Sequence, residues 1–304
     1  MPDALPRLIA IDWGTSNFRA FLLDGGGKVL AKKFARLGVL KIRRSQFEII
    51  MRNEISEWEQ TYGELPIIMA GMIGSRQGWQ EVPYLPCPLP LKSLGQNLEP
   101  VKRLSQTWIV PGLRMDYPDG RVDVMRGEET QILGAMTLAS PELQVFCLPG
   151  THSKWAYTKD GELLHFNSFM TGEIFTLLRK HSILGRLMLG SNTDNAGFHR
   201  GLEWGERSDN LLAQLFQVRT QVLAGTLNTK AVFGFLAGIL IAQELHQALQ
   251  TSIEHSKVGL IANPRITNLY SKALSQHHID GIILDSDQVT ATGLFKVAQY
   301  AQII

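Results

Sequence analysis

One pattern occurs twice in this 304-residue chain, and it restricts the fold more than any other feature. Near the start, apolar stretches at 8–13, 18–24 and 28–34 are separated by the turn Gly14-Thr15-Ser16 and by a glycine run at 25–27, which predicts a three-stranded meander. From residue 143 the same opening recurs as 143–148, 154–158 and 163–169, with Pro149-Gly150-Thr151-His152-Ser153 at the first turn and Lys159-Asp160-Gly161 at the second. A duplication legible as pattern rather than as matching letters predicts two domains of one kind. The chain is also roughly twice the length of an ordinary single domain.

Behind the first meander, Phe47, Ile50, Met51, Ile55 and Trp58 recur at helical spacing, and an apolar strand at 65–70 follows Gly63. Three strands, a helix and a parallel strand make the core of a ribonuclease-H-like domain. Pro83, Pro86, Pro88 and Pro90 predict an irregular extended loop, because each proline removes a ladder donor. The second half continues with helical patterns at 171–180, 209–222 and 230–250, a strand at 258–262, a helix at 265–276, a strand at 281–284 and a last helix from 287. The expected boundary lies within 126–141, giving an N-terminal domain over 1–126 and a hinge with a C-terminal domain over 127–304.

Charge narrows the choice of ligand. A net charge of +2, with acids and bases mixed along the chain, leaves no basic stripe for nucleic acid, so a small anion is the expected partner. No basic-then-apolar leader opens the chain and no apolar run reaches membrane-spanning length, which predicts a cytoplasmic protein without a membrane partner. Cys87 and Cys147 lie far apart, and His277-His278 is the only close histidine pair, so neither a disulfide framework nor a zinc site is expected. A monomer or a homodimer is expected.

The two first turns carry the chemistry. In Ile11-Asp12-Trp13-Gly14-Thr15-Ser16-Asn17-Phe18-Arg19, Gly14 lets the backbone approach a phosphate, Thr15 and Ser16 add hydroxyl donors, and Asp12 offers a hard oxygen to a hydrated Mg²⁺. The bland alternative is a hairpin turn edged by an Asp. A second Gly-Thr turn at the equivalent place, Gly150-Thr151-His152, tips the balance, since the two turns of a duplicated fold would grip β- and γ-phosphates across a cleft. Lys154 either pairs with phosphate or faces solvent. No P-loop or dinucleotide-binding glycine pattern competes for the role.

The paired turns resemble the superfamily of sugar kinases, actin and chaperone ATPases. Four strings, Ala10-Ile11-Asp12-Trp13-Gly14-Thr15-Ser16, Gly71-Met72-Ile73-Gly74-Ser75-Arg76-Gln77-Gly78-Trp79, Arg126-Gly127-Glu128-Glu129-Thr130-Gln131 and Leu148-Pro149-Gly150-Thr151-His152-Ser153-Lys154-Trp155, look like the 2-dehydro-3-deoxygalactonokinase family. The resemblance implies an actin-like fold with ATP and Mg²⁺ and phosphorylation of the 6-hydroxyl of a keto-deoxy sugar acid. By position Glu128 matches the catalytic Asp of related kinases, with Glu129 the alternative; both also suit a helix start. Arg76 is suited to a bidentate grip on the sugar-acid carboxylate, Arg126 is the second cation, and Trp79 either lines the sugar or packs. The strand end near Gly259 corresponds to the superfamily's adenosine site. Gly234 and Gly238, four apart, suggest a helix packed closely on a neighbour or on the nucleotide. A kinase for another sugar acid, and an actin-like ATPase or sensor, are the rival readings.

Overall fold

The computed structural model describes residues 5–189, 194–207, 210–250 and 256–304. In chain order the elements are strands β1 (Pro6–Trp13), β2 (Phe18–Asp24) and β3 (Val29–Ala35), helix α1 (Phe47–Tyr62), then β4 (Ile67–Ala70), β5 (Leu85–Cys87) and β6 (Leu89–Pro90). A short helix α2 (Ser93–Gln96) precedes β7 (Glu99–Pro100), β8 (Thr107–Ile109), β9 (Leu113–Asp116), β10 (Val122–Met125) and helix α3 (Glu128–Leu138). The second meander is β11 (Val145–Leu148), β12 (Ser153–Lys159) and β13 (Glu162–Phe169). Helices α4 (Thr171–His181), α5 (Asn195–Gly205), α6 (Leu211–Leu223) and α7 (Val232–Leu249) follow, then β14 (Lys257–Ile261), α8 (Pro264–Gln276), β15 (Asp280–Leu284) and α9 (Ser286–Tyr300).

The chain divides into two compact units. The first comprises the chain up to Gln144 together with Ala156–Phe166 and Leu284–Ile304; the second comprises Val145–Trp155 and Asn167–Ile283. Where the sequence suggested a change of domain within 126–141, the division falls just before β11, and the closing helix returns to the first unit.

In the first unit the sheet order is β3-β2-β1-β4-β8-β7. β1 is central and almost wholly buried, whereas β3, at the edge, is mostly exposed or half-exposed, as one solvated edge requires. β1 pairs antiparallel with β2, setting Asp12 opposite Arg19, and parallel with β4, bringing Asp12 beside Ala70. Of the predicted stripe, helix α1 buries Phe47, Met51, Ile55 and Trp58 on one face and half-buries Ile50, and it ends where Gly63 turns at a φ of 78°. Helices α3 and α9 cross closely: a Cβ on Gly134 would lie 1.9 Å from the Val289 carbonyl oxygen, and one on Gly293 1.8 Å from that of Thr130.

The proline-rich stretch departs from expectation. It forms β5, which pairs parallel with β9, and β6, which pairs with β13, rather than a loop throughout. Both sit at sheet edges, where a proline's missing donor faces no partner strand.

In the second unit β14 runs parallel to β11; the meander β11–β12–β13 recurs in the chain, with Ala156–Phe166 of β12 and β13 counted in the first unit. α7 is long and apolar enough by composition to cross a membrane, but it is buried within its unit. Its closest neighbour is α5, which the sequence pattern did not suggest. The helix predicted over 209–222 is α6; Asp209 itself lies outside the described residues.

Candidate active site

Turn 1, between β1 and β2, is closed by the Gly14 N–H donating to the Asn17 carbonyl at 2.9 Å. Thr15, Ser16 and Asn17 are exposed, while Trp13 is buried beneath them and donates its Nε1–H to the Leu37 carbonyl at 2.6 Å. A second segment braces the turn: the Val39 N–H donates to the Gly14 carbonyl at 3.1 Å. Gly38 permits the approach, since a Cβ there would stand 2.0 Å from the Thr15 carbonyl oxygen.

Asp12 ends β1, and its Oδ2 accepts two hydrogen bonds from Arg19, from Nη2 at 2.6 Å and Nε at 2.9 Å. The same guanidinium donates through Nη1 to Asp287 and Ser286, both at 3.0 Å, at the start of α9. Burial would depress the arginine's pKa, but the Asp12 and Asp287 charges outweigh it and raise the pKa, so Arg19 is firmly cationic. Two backbone segments approach the other Asp12 oxygen. A Cβ on Gly71 would fall 3.1 Å from Oδ1 and 2.8 Å from the Trp13 carbonyl oxygen, while at Gly127 a Cβ would fall 3.1 Å from the Gly71 Cα and the φ of 109° favours glycine.

Gly127, at a φ of 109°, caps α3. Glu128 is half-exposed and its Oε2 accepts the Arg126 N–H at 3.0 Å; Glu129 is fully buried and its Oε2 accepts the Gly127 N–H at 2.7 Å. Burial, reinforced by the Glu128 charge, pushes the Glu129 carboxyl up to about 8, so it holds its proton at neutral pH. Its Oε1 has no partner among the described residues. Nearby Cys87, the less buried cysteine, is pushed up to about 12 by burial and by the Glu129 charge, which leaves it an unreactive thiol.

The candidate cations separate. Arg76 is exposed and makes no hydrogen bond or ion pair among the described residues. Arg126 is 8% exposed, lies over the Tyr84 ring at 4.2 Å and donates from Nη2 to the Val82 carbonyl at 2.6 Å, while its Nε and Nη1 lack partners among the described residues. Trp79 packs, its ring stacked on Phe47 with centroids 6.4 Å apart.

Turn 2, between β11 and β12, exposes Gly150, Thr151 and His152. It too rests on a glycine: a Cβ on Gly172 would lie 2.1 Å from the Gly150 carbonyl oxygen. The Glu173 N–H donates to the Thr151 carbonyl at 2.9 Å, and His152 pairs with the Glu173 carboxylate at 2.6 Å. The start of α4 is thereby seated on the turn, adding its partly positive end to the turn's own N–H groups.

A cavity of about 420 Å³ opens beside turn 2, wholly within the second unit. Gly150, Thr151, Thr171 and Gly172 line it beside the turn, with Asn263 and Arg265 adding polar groups, and Phe175, Phe233, Leu240, Ile241 and Leu269 are among its apolar walls. Its size and mixed lining suit a ligand with a flat apolar part and an anionic tail. Two residues expected to serve here do not line it. Gly259 is buried in the sheet opposite Phe146, and Asn263, Arg265, Ile266 and Tyr270 from the start of α8 take that place. Lys154 is buried rather than solvated and donates to the Ser168 hydroxyl.

Sequence reasoning passed over Arg19, Asp287, Thr171, Glu244 and Tyr270. Arg19 stands inside the first quoted motif and its pairing with Asp12 follows from the hairpin register. The others lie 100 or more residues from Arg19 or from turn 1, and no local pattern marks them.

Two ribonuclease-H-like units, each with a glycine-braced turn after its first strand, define the class of actin-like ATPases and sugar kinases. A ligand-bound xylulose kinase from Lactobacillus acidophilus shares the fold with a TM-score of 0.52 at 9% identity, over 98% of this chain and 90% of that one. Within that class the chain belongs to the 2-keto-3-deoxy-galactonokinase family, whose model matches residues 12–297. The 2-dehydro-3-deoxygalactonokinase of Escherichia coli K12 is 34% identical over 96% of this chain and 97% of its own length. A solved structure from Sinorhizobium meliloti, assigned as a 2-dehydro-3-deoxygalactonokinase protein, superposes with a TM-score of 0.89 at 31% identity, covering 96% of this chain and 98% of that one.

Proposed function

We propose that this protein transfers the γ-phosphoryl group of ATP to the 6-hydroxyl of 2-dehydro-3-deoxy-D-galactonate, a cytoplasmic step of galactonate catabolism. The observation that carries the reading is the family match over nearly the whole chain, together with the E. coli relative that bears this activity as its name. The cavity beside turn 2 supports adenosine there, with the phosphates running toward Gly150, Thr151 and the start of α4. Thr15 and Ser16 are the corresponding phosphate donors of turn 1.

The residues present fit Mg²⁺ held mainly by water and phosphate. Asp12 keeps Oδ1 clear of its Arg19 pair, and no cluster of three or more His, Cys, Asp or Glu residues forms a protein cage among the described residues. Bound there, the ion would neutralise charge on the phosphate oxygens. Glu128, half-exposed at the start of α3, accepts the proton of the attacking hydroxyl as the new P–O bond forms and the bond to the departing ADP oxygen breaks. Because phosphoryl transfer passes through a loose transition state, its main work is orientation. Glu129, buried and protonated, supports the cap instead. Arg76, uncommitted and exposed, grips the sugar-acid carboxylate, with Arg126 as the second candidate cation.

The test is ADP release by the purified protein with ATP and Mg²⁺ across a panel of sugar acids, including the galactonate- and gluconate-derived 2-keto-3-deoxy acids. Sharp stimulation by the galactonate-derived acid alone is expected. Steady hydrolysis that no acid accelerates would overturn the kinase reading in favour of an ATPase, and preference for another acid would overturn the substrate. Arg76→Ala should raise KM for the acid about tenfold with kcat little changed, as loss of uniform binding does; an unaltered KM removes the carboxylate grip.

A further inference from the structure

Glu244 is 3% exposed and carries the only carboxylate on a face of α7 that is otherwise apolar. Phe233, Ala237, Leu240 and Ile241 of that helix line the cavity, and Glu244 follows them one turn further along the same face, at the 3.6-residue period. Its Oε1 accepts the Trp155 indole N–H at 2.8 Å and its Oε2 accepts the Tyr270 hydroxyl at 2.8 Å. The hydroxyls of Thr171 and Ser153 also bond to it, and Ser153 lies 3.1 Å from the Tyr270 hydroxyl. Burial raises the carboxyl's pKa, and these four neutral donors oppose the rise. A leucine would pack here without desolvating a charge, so the network is poorly explained by stability alone.

The four donors come from the segments that shape the cavity. Ser153 and Trp155 immediately follow turn 2. Thr171 opens α4, whose Gly172 rests on the Gly150 carbonyl, and Tyr270 is one of the α8 residues that line the cavity. We propose that Glu244 is a positioning residue for the nucleotide: one buried carboxylate sets turn 2, the start of α4 and the α8 wall in mutual register before ATP arrives. The proposal rests on the assignment of this cavity to adenosine and its phosphates. A fixed constellation of donors lowers the ordering needed on binding, so loosening it should weaken nucleotide binding more than acceptor binding.

The experiment measures KM for ATP, KM for the sugar acid, melting temperature, and calorimetric binding of a non-hydrolysable ATP analogue with Mg²⁺, in wild type, Glu244→Gln and Ser153→Ala. Ser153 does not line the cavity and its truncation is mild, so it reports on the network even if E244Q folds poorly. The expected result is a KM for ATP, and a Kd for the analogue, raised about tenfold in E244Q and about threefold in S153A, with KM for the acid within twofold of wild type. Glu244→Asp, which keeps the charge, should recover part of the loss. Lowered melting temperature with both KM values unmoved, or with both raised alike, overturns the proposal and leaves a purely structural network. Failure of wild type to bind the analogue overturns instead the nucleotide reading on which it stands.

Discussion

The two glycine-braced turns share a backbone design and differ in what lies behind them. Behind turn 1 stands Asp12, part-exposed and paired to a cation that is itself tied to Asp287. Behind turn 2 stands Glu244, buried and held by hydroxyl and indole donors, with no cation bonded to it among the described residues. A carboxylate that keeps an open oxygen and a charged partner can take part in ionic chemistry; one sealed among neutral donors can only hold shape. On the roles proposed above, the same turn would serve charge in one unit and position in the other.

The sharpest way to break that comparison is Asp12→Asn. It should reduce turnover about a thousandfold or more, while the mostly buried pair it breaks should cost about 1–3 kcal/mol of stability. ADP release and a urea melt on one preparation check both, and near-normal turnover would remove Asp12 from the site. Next come the braces: Gly38→Ala and Gly172→Ala each drive a methyl group into a backbone carbonyl and should each destabilise by about 1–3 kcal/mol with loss of turnover. If only one of the two is damaging, the likeness of the turns is superficial.

A pH series sharpens the contrast between buried carboxylates. Glu129 has a folded-state pKa of about 8 against an ordinary 4.5, so between those values the folded chain holds a proton that the unfolded chain has released. Its presence therefore lowers stability progressively as pH rises through that window. Glu129→Gln removes the slope, and its urea midpoint should gain on wild type from about pH 5 to about pH 8 and then stay level. A difference that is constant with pH would mean that Glu129 is ionised throughout. The smallest effect expected is that of Trp155→Phe, which takes one of four donors from Glu244 and should cost about 1–2 kcal/mol in the same melt. A larger loss would mean that the indole, not the carboxylate, is the centre of the network.

Much of the first unit was legible in advance because its signals are local. The apolar spacing of α1, the meander turns and the strand before Gly71 each lie within a few residues of one another, and Asp12 sits where a strand meets a Gly-Thr turn. Helix α5 was illegible for the opposite reason. Gly197, Gly201 and Gly205 weaken it as an isolated helix, yet a Cβ at Gly201 would stand 2.2 Å from the Phe235 carbonyl oxygen of α7, and one at Gly238 of α7 would stand 2.4 Å from that of Phe198. What reads as helix-breaking along the chain is contact-making across it. The proline strands repeat the lesson, since only their edge position makes the missing donors harmless.

The sequence by itself determined the duplicated meander, the two Gly-Thr turns, the family and the acidic start of α3, because each is written in residues adjacent along the chain. Tertiary structure alone decided which glutamate is sealed and which is half-open, that Arg19 rather than solvent faces Asp12, and that α8 rather than Gly259 lines the cavity. It also placed α9 against α3 in the first unit. Burial and hydrogen-bond partnership are properties of residues brought together from distant parts of the chain, and no local pattern encodes them.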